Sequence, residues 1–184
     1  MFMSVELISI EEAVKKASEY VHLVVKNIKE GEIDLTDLVY INESKGAELR
    51  KYSLNSDDII IALSSNVGNS SLFDINEEDV QFTLSHYLAR IKCDKRKINP
   101  KILVYYLNSK AIWKYFRVCE TGKTKKNISK VYIRNLPILL DLDKQEEMLK
   151  KITRIEESIS KIRSELKIYE MLREDITDKF LVGQ

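Results

Sequence analysis

Two cysteines and two histidines in 184 residues leave little material for cross-linking or metal chemistry. Cys93 and Cys119 cannot make a disulfide framework, and His22 and His86 stand far apart with no ligand-spaced companions, so all four read as structural. None of the five glycines sits in a phosphate-cradling run. No Ser–His–Asp set can be argued from two histidines, and no N-P-P-[FY] methyltransferase element is present. The triplet Glu165-Leu166-Lys167 has a nuclease-like spacing but falls where a helix would expose it to solvent. The chain therefore reads as non-catalytic, with no cofactor or metal implied. No apolar run reaches the roughly 18 residues of a membrane span. The opening MFMSVELISI lacks a basic region and a small-residue cleavage site, which argues against a secretory signal and for a cytoplasmic protein.

What is present is an ordinary folding inventory, 44% hydrophobic and 32% charged, with a net charge of only +1. That total hides a strong asymmetry. Residues 1–89 carry 7 Lys/Arg against 16 Asp/Glu, residues 90–134 carry 14 against 2, and residues 135–184 carry 9 against 11. One basic segment in an otherwise acidic or neutral chain is an electrostatic footprint of the kind polyanions recognise.

The last forty residues show the clearest periodicity. Apolar side chains fall at Met148, Ile152, Ile155, Ile159, Ile162, Leu166, Tyr169, Ile176 and Phe180, with Arg173 in the slot between Tyr169 and Ile176. Steps of four and three make an a/d heptad seam, which a helix buries by winding along another helix. Asp141 or Asp143 can cap its start, and Glu146 and Glu147 suit the positive N-terminal end. A helix from about Asp143 to Lys179 would be roughly 55 Å long at 1.5 Å per residue. An extended coiled-coil arm and a helix folded back on its own domain are the two readings. Arg173 could set register or orientation, or reach solvent from the edge.

Upstream, Ser9-Ile10-Glu11-Glu12 is a capping box that opens a helix to about Glu19. Val21–Val25 and Leu38–Ile41 read as short strands, with a turn around Gly31 between them. Residues 42–57 read as irregular, apart from one helical turn near Ala47–Lys51. The unbroken apolar run from Asp58 to Leu63 suggests a buried strand. It leads into Ser64–Ser71, a polar loop, after which Leu72-Phe73 resumes a strand and Phe82–Lys92 forms another. Asn99-Pro100 marks a sharp helix start, Ser109 caps the next helix over Ala111–Val118, and Ser129–Asn135 reads as a further short helix. Tyr105, Tyr106, Trp113 and Phe116 read as core residues, with a stacking role as the alternative. Leu136–Leu140 is an extended connector.

Between those helices lies Thr121-Gly122-Lys123-Thr124-Lys125-Lys126-Asn127, followed by Ile128-Ser129. Lysines neutralise phosphates, hydroxyls fix register, glycine permits close backbone approach, and asparagine can pair bidentately with adenine. A solvated connector is the competing reading.

The run ETGKTKKNISKVYIRNLPI, followed by Asp143-Lys144-Gln145-Glu146-Glu147 and an isoleucine-rich helix, resembles the DNA specificity subunit of type I restriction-modification systems. In that family a TG-x-T-x-x-NI loop closes the target recognition domain, an L-P segment follows, and a glutamine-bearing segment opens the spacer helix. Val25-Lys26-Asn27-Ile28 with Gly31-Glu32-Ile33 is similar to an early NI-x-x-G-x-I element. Asp57-Asp58-Ile59-Ile60-Ile61 is similar to a GDI strand, with aspartate in place of glycine. The connector after Pro137 is poorer in proline than is usual there. A full subunit also carries two recognition domains and two spacer helices, whereas this chain has one of each.

The resemblance implies an α+β protein: a mixed α/β target recognition domain over residues 1–141, then one long coiled-coil helix over 142–184. It implies a non-catalytic half-subunit that binds double-stranded DNA, pairs as a homodimer or with another specificity half, and docks the adenine methyltransferase and restriction/translocase subunits. A two-fold pair would read an inverted repeat with a central gap. An arm of roughly 55 Å exceeds one DNA turn of about 34 Å, which suits a split target. The DNA-facing candidates are Thr121, Lys123, Thr124, Lys125, Lys126 and Asn127, then Lys26 and Asn27, then Ser65 and Asn66. Among them Asn127, Asn66 and Asn27 are the candidate base readers. The alternatives are a coiled-coil adaptor whose basic face binds an acidic protein, and a recognition domain detached from a single-chain restriction–modification enzyme.

Overall fold

The computed structural model describes residues 20–41, 52–76, 80–124, 126–138 and 141–181. The capping box at Ser9–Glu12, the helical turn near Ala47–Lys51 and Lys125 lie outside the described residues. By its contacts the chain divides into two compact units, Met1–Leu140 and Asp141–Gln184.

The first unit is built around β3 (Ile59–Ala62), whose four residues are all buried. Successive strand residues point to opposite faces, so each face of β3 makes its own core. Ile60 and Ala62 pack with Val21, Leu23, Phe73, Phe82 and Leu84 from the first sheet and its connections. Ile59 and Ile61 pack with Leu103, Val104, Leu107, Ile112 and Phe116 from the helices. A strand with an apolar layer on both sides must be apolar throughout, which is why the Ile59-Ile60-Ile61 run shows no alternation.

Two three-stranded sheets result. In the first, β1 (Tyr20–Leu23) lies between β2 (Val39–Ile41) and β5 (Gln81–Leu84), antiparallel to β2 and parallel to β5. In the second, β3 lies between β4 (Ser70–Leu72) and β6 (Leu88–Ile91), antiparallel to both, with Ile61 opposite Ser70 and Ala89.

Two expectations from sequence are corrected here. The expected strand over Phe82–Lys92 is two strands in different sheets, because Ser85-His86-Tyr87 turns the chain and the Leu88 N–H bonds the Ser85 carbonyl at 3.0 Å. Ser70 and Ser71, read as loop, belong to β4 and are fully buried. Their hydroxyls find carbonyl acceptors, Gly68 for Ser70 and Lys29 or Glu32 for Ser71, at 2.7–2.9 Å. A buried hydroxyl so bonded costs little.

Buried Asp58 is also compensated. It accepts the Asn55 N–H at 2.9 Å, and the Arg90 guanidinium lies 3.8 Å away.

Three helices follow: α1 (Pro100–Leu107), α2 (Lys110–Cys119) and α3 (Lys130–Arg134). The first two open on the caps read from sequence, and Ser129, read as the first residue of its helix, is the cap of the third. Asn99 accepts the Lys101 N–H, Ser109 the Ile112 N–H and Ser129 the Val131 N–H. Among the four aromatics expected in the core, Phe116 is buried, Tyr106 and Trp113 are half-buried, and Tyr105 is exposed.

The second unit is a short 3₁₀ turn (Leu142–Lys144), capped by Asp141, leading into α4 (Gln145–Leu181), 37 residues without a break. Glu146–Lys150, Glu147–Lys151 and Asp175–Lys179 form i,i+4 ion pairs along it. The Lys150 ammonium holds the Glu146 carboxyl below the usual glutamate range. No described helix is long and apolar enough to cross a membrane.

Candidate nucleic-acid interface

The loop between α2 and α3 is closed on itself and then fastened to the sheet. Thr121 N–H bonds the Asn127 carbonyl at 2.9 Å and Asn127 N–H returns to the Thr121 carbonyl at 3.0 Å. Gly122 takes φ +92° and turns the chain immediately after Thr121. The returning arm bonds the chain just beyond β3: Ile128 N–H to Leu63 O at 2.9 Å, and Ser65 N–H to Lys126 O at 3.1 Å.

This chain beyond β3 is the turn that joins it to β4. Ala62 N–H bonds the Asn69 carbonyl, Gly68 N–H the Ala62 carbonyl and Asn69 N–H the Asn66 carbonyl, at 2.9–3.0 Å. Ser65 sits at φ +62°, a left-handed conformation that a non-glycine residue adopts at a cost. Ser65 and Asn66 are exposed on this turn, and Thr121, Lys123, Thr124 and Lys126 are exposed on the neighbouring loop. Asn127 is half-buried at their junction. The two groups of candidates, sixty residues apart in sequence, are therefore neighbours. Ser64 lies beneath, 1% exposed, and its hydroxyl has no partner among the described residues.

A third segment approaches the other side of the same turn. Asn69 Nδ2 donates to Ile28 O at 3.3 Å, and Gly31 N–H bonds Ser70 O at 2.9 Å. Asn108, at the corner between α1 and α2, pairs its side-chain amide with Ser70 like an added strand, accepting from its N–H at 3.0 Å and donating to its carbonyl at 2.8 Å. Sequence reading passed over Asn108, whose Asn-Ser setting signalled only a helix boundary.

Asn27 has a different place from the one expected. It is 2% exposed, and its amide is committed to the backbone: Oδ1 accepts from Val24 N–H at 3.0 Å, while Nδ2 donates to Asp34 O at 3.0 Å and Asp37 O at 3.1 Å. It gathers the loop around Gly31 and faces inward, so it is not among the groups presented to a ligand. Lys26, exposed, is ion-paired with Asp37. Within this loop, hydrogen bonds from the Thr36 hydroxyl and N–H hold the Asp34 carboxyl below the ordinary aspartate range, aided by Lys29.

On α4 the residues of the expected seam lie on one unbroken helix, with Arg173 in the slot between Tyr169 and Ile176. Met148 and Ile152 are half-buried, and Ile155, Ile159, Ile162, Leu166, Tyr169, Ile176 and Phe180 are exposed. Ile168, Met171 and Leu172 are exposed as well, outside the seam.

The arrangement offers no acid–base or nucleophilic pair on these loops. It offers hydroxyls, amides and ammonium groups on a hydrogen-bonded hairpin end, the equipment of a recognition surface. No protein-family model matches the chain. In an alignment of 162 positions that covers 84% of the chain, it is 23% identical to "Putative type I restriction enzyme MjaX specificity subunit" of Methanocaldococcus jannaschii. The likeness is to a specificity subunit. It agrees with the resemblance carried by the Thr121–Asn127 loop and the helix after it, and it spans 37% of the archaeal protein.

Proposed function

We propose that this chain reads duplex DNA by sequence, as a specificity half-subunit of a type I restriction-modification system. The observation that carries the reading is the meeting of two polar loops at one end of β3, the lysine-bearing loop 121–127 and the Ser65–Asn66 turn, fastened by the Ser65–Lys126 and Leu63–Ile128 bonds. The likeness to the archaeal subunit supports it.

In this reading the head, residues 1–141, recognises DNA and the helix, residues 142–184, supplies the second half. Lys123, Lys125 and Lys126 neutralise phosphates; Thr121, Thr124 and Ser65 fix register; Asn66 and Asn127 are the base readers. The helix pairs with a second copy through the seam, because isolated long helices of mostly polar sequence gain stability from a partner. The pair docks the adenine methyltransferase and restriction subunits, which supply the chemistry.

Selection of random-sequence duplexes on the purified full chain, read by sequencing, tests this. Enrichment of an inverted repeat with an unread central gap is expected. Absence of any enriched sequence, with binding competed equally by heparin and every duplex, would overturn it in favour of an adaptor for acidic partners.

A further inference from the structure

The basic segment, residues 90–134, is not uniformly cationic in three dimensions. Three cations of its first part have carboxylate partners: Arg90 lies beside Asp58, Lys95 pairs with Asp57 and Arg96 with Asp94 at 3.0 Å. Five cations further along do not. Among the described residues no carboxylate lies within 4 Å of Lys110, Lys114, Arg117, Lys130 or Arg134, and all five are exposed. Glu120, half-buried, is the one acidic residue in sequence between Asp94 and Asp141.

Three of these cations lie on one face of α2 and two on α3. Lys110, Lys114 and Arg117 recur at i, i+4 and i+7 on α2, opposite Ile112 and Phe116, which face the core. Lys130 and Arg134 recur at i, i+4 on α3, whose Ile133 packs on the same core. A hydrogen bond from the Tyr115 hydroxyl to Tyr132 O, 3.3 Å, joins the two helices. The stripe flanks the recognition loop on both sides along the chain, with Arg117 four residues before Thr121 and Lys130 three after Asn127.

We infer that the outward stripe of α2, Lys110–Lys114–Arg117, continued by Lys130 and Arg134 of α3, is a phosphate track for the duplex backbone, separate from the loops that read bases. The inference rests on the proposed DNA-reading function. At 1.5 Å per residue the α2 stripe covers about 10 Å, roughly three phosphates of one strand at 3.4 Å each. Continuity with the recognition loop favours a nucleic-acid backbone over an acidic protein.

Two variants of equal charge change test it on the full chain: Lys114→Ala with Arg117→Ala, and Lys95→Ala with Arg96→Ala, whose cations are already paired. Alanine suits the exposed helix positions 114 and 117, and far-UV circular dichroism checks the fold of both variants. Binding of a labelled random-sequence duplex is followed from 50 to 200 mM salt. Loss of two phosphate contacts lowers the slope of log K on log salt by about 1.8, so the unmodified chain should lose about 12-fold more affinity across that range than the α2 variant. The Lys95/Arg96 variant should keep the original slope. An unchanged slope in the α2 variant overturns the track, and so does an equal fall in both variants, which would leave net charge as the only cause. Failure of the unmodified chain to bind any duplex overturns the DNA reading itself, a separate result.

Discussion

Gly68 is the position where a single methyl group should matter most. It turns the chain between β3 and β4 at φ +92°, and a Cβ built on it would lie 2.5 Å from one ring carbon of Phe116 and 3.0 Å from the next. Phe116 is 1% exposed and packed among Ile59, Ile61, Leu107 and Ile112, so its ring has little room to withdraw. Gly68→Ala therefore carries two costs. A left-handed conformation costs an L-residue about 1–2 kcal/mol, and overpacking a filled core costs about 1–3 kcal/mol. Together they amount to about 2–5 kcal/mol, and in a chain of this length a loss of about 3 kcal/mol lowers the melting temperature by about 6–12 °C. Trp113, the only tryptophan, sits one turn from Phe116 on α2, so fluorescence reports the head unit alone. The two costs separate in a double-mutant cycle. In a Phe116→Leu background the ring is gone and only the backbone cost, about 1–2 kcal/mol, should remain. Equal destabilisation in both backgrounds, or a Gly68→Ala protein as stable as the original, would refute the reasoning.

The other predictions concern the loop and the arm. Asn27→Ala should destabilise the head by about 2–3 kcal/mol, because the three hydrogen bonds of a buried amide are lost; urea denaturation measures it. Discrimination between DNA sequences, in whatever fraction stays folded, should be unchanged, and a selective loss there would return Asn27 to the interface. Ile159→Gln with Ile162→Gln should abolish self-association, since burying each isoleucine is worth about 1.5–3 kcal/mol and a two-fold pair loses four of them. Sedimentation velocity checks this, and an assembly of unchanged mass would remove the seam from the contact.

Much of the framework was legible in the sequence because its signals are local. The caps at Asn99 and Ser109 act on N–H groups two or three residues away, and each starts its helix where expected. The run from Asp58 to Leu63 announced a strand buried on both faces. The four-three spacing after Met148 announced a helix of 37 residues. The loop at Thr121–Asn127 was visible from its residue types, which suit phosphate and base contact whatever the fold.

What the tertiary structure decided depends on partners distant along the chain. Ser70 and Ser71 look like loop residues until β3 and the carbonyls of Lys29 and Glu32, some forty positions earlier, satisfy them. Asn27 has the composition of a base reader, but its amide closes a loop to Asp34 and Asp37. Charge counting found one basic segment; only the pairing of Lys95 with Asp57 and of Arg90 with Asp58 set those cations apart from the stripe on α2. Periodicity and capping are short-range and can be read from order alone. Satisfaction of a polar group or a charge is a property of whatever the fold brings beside it.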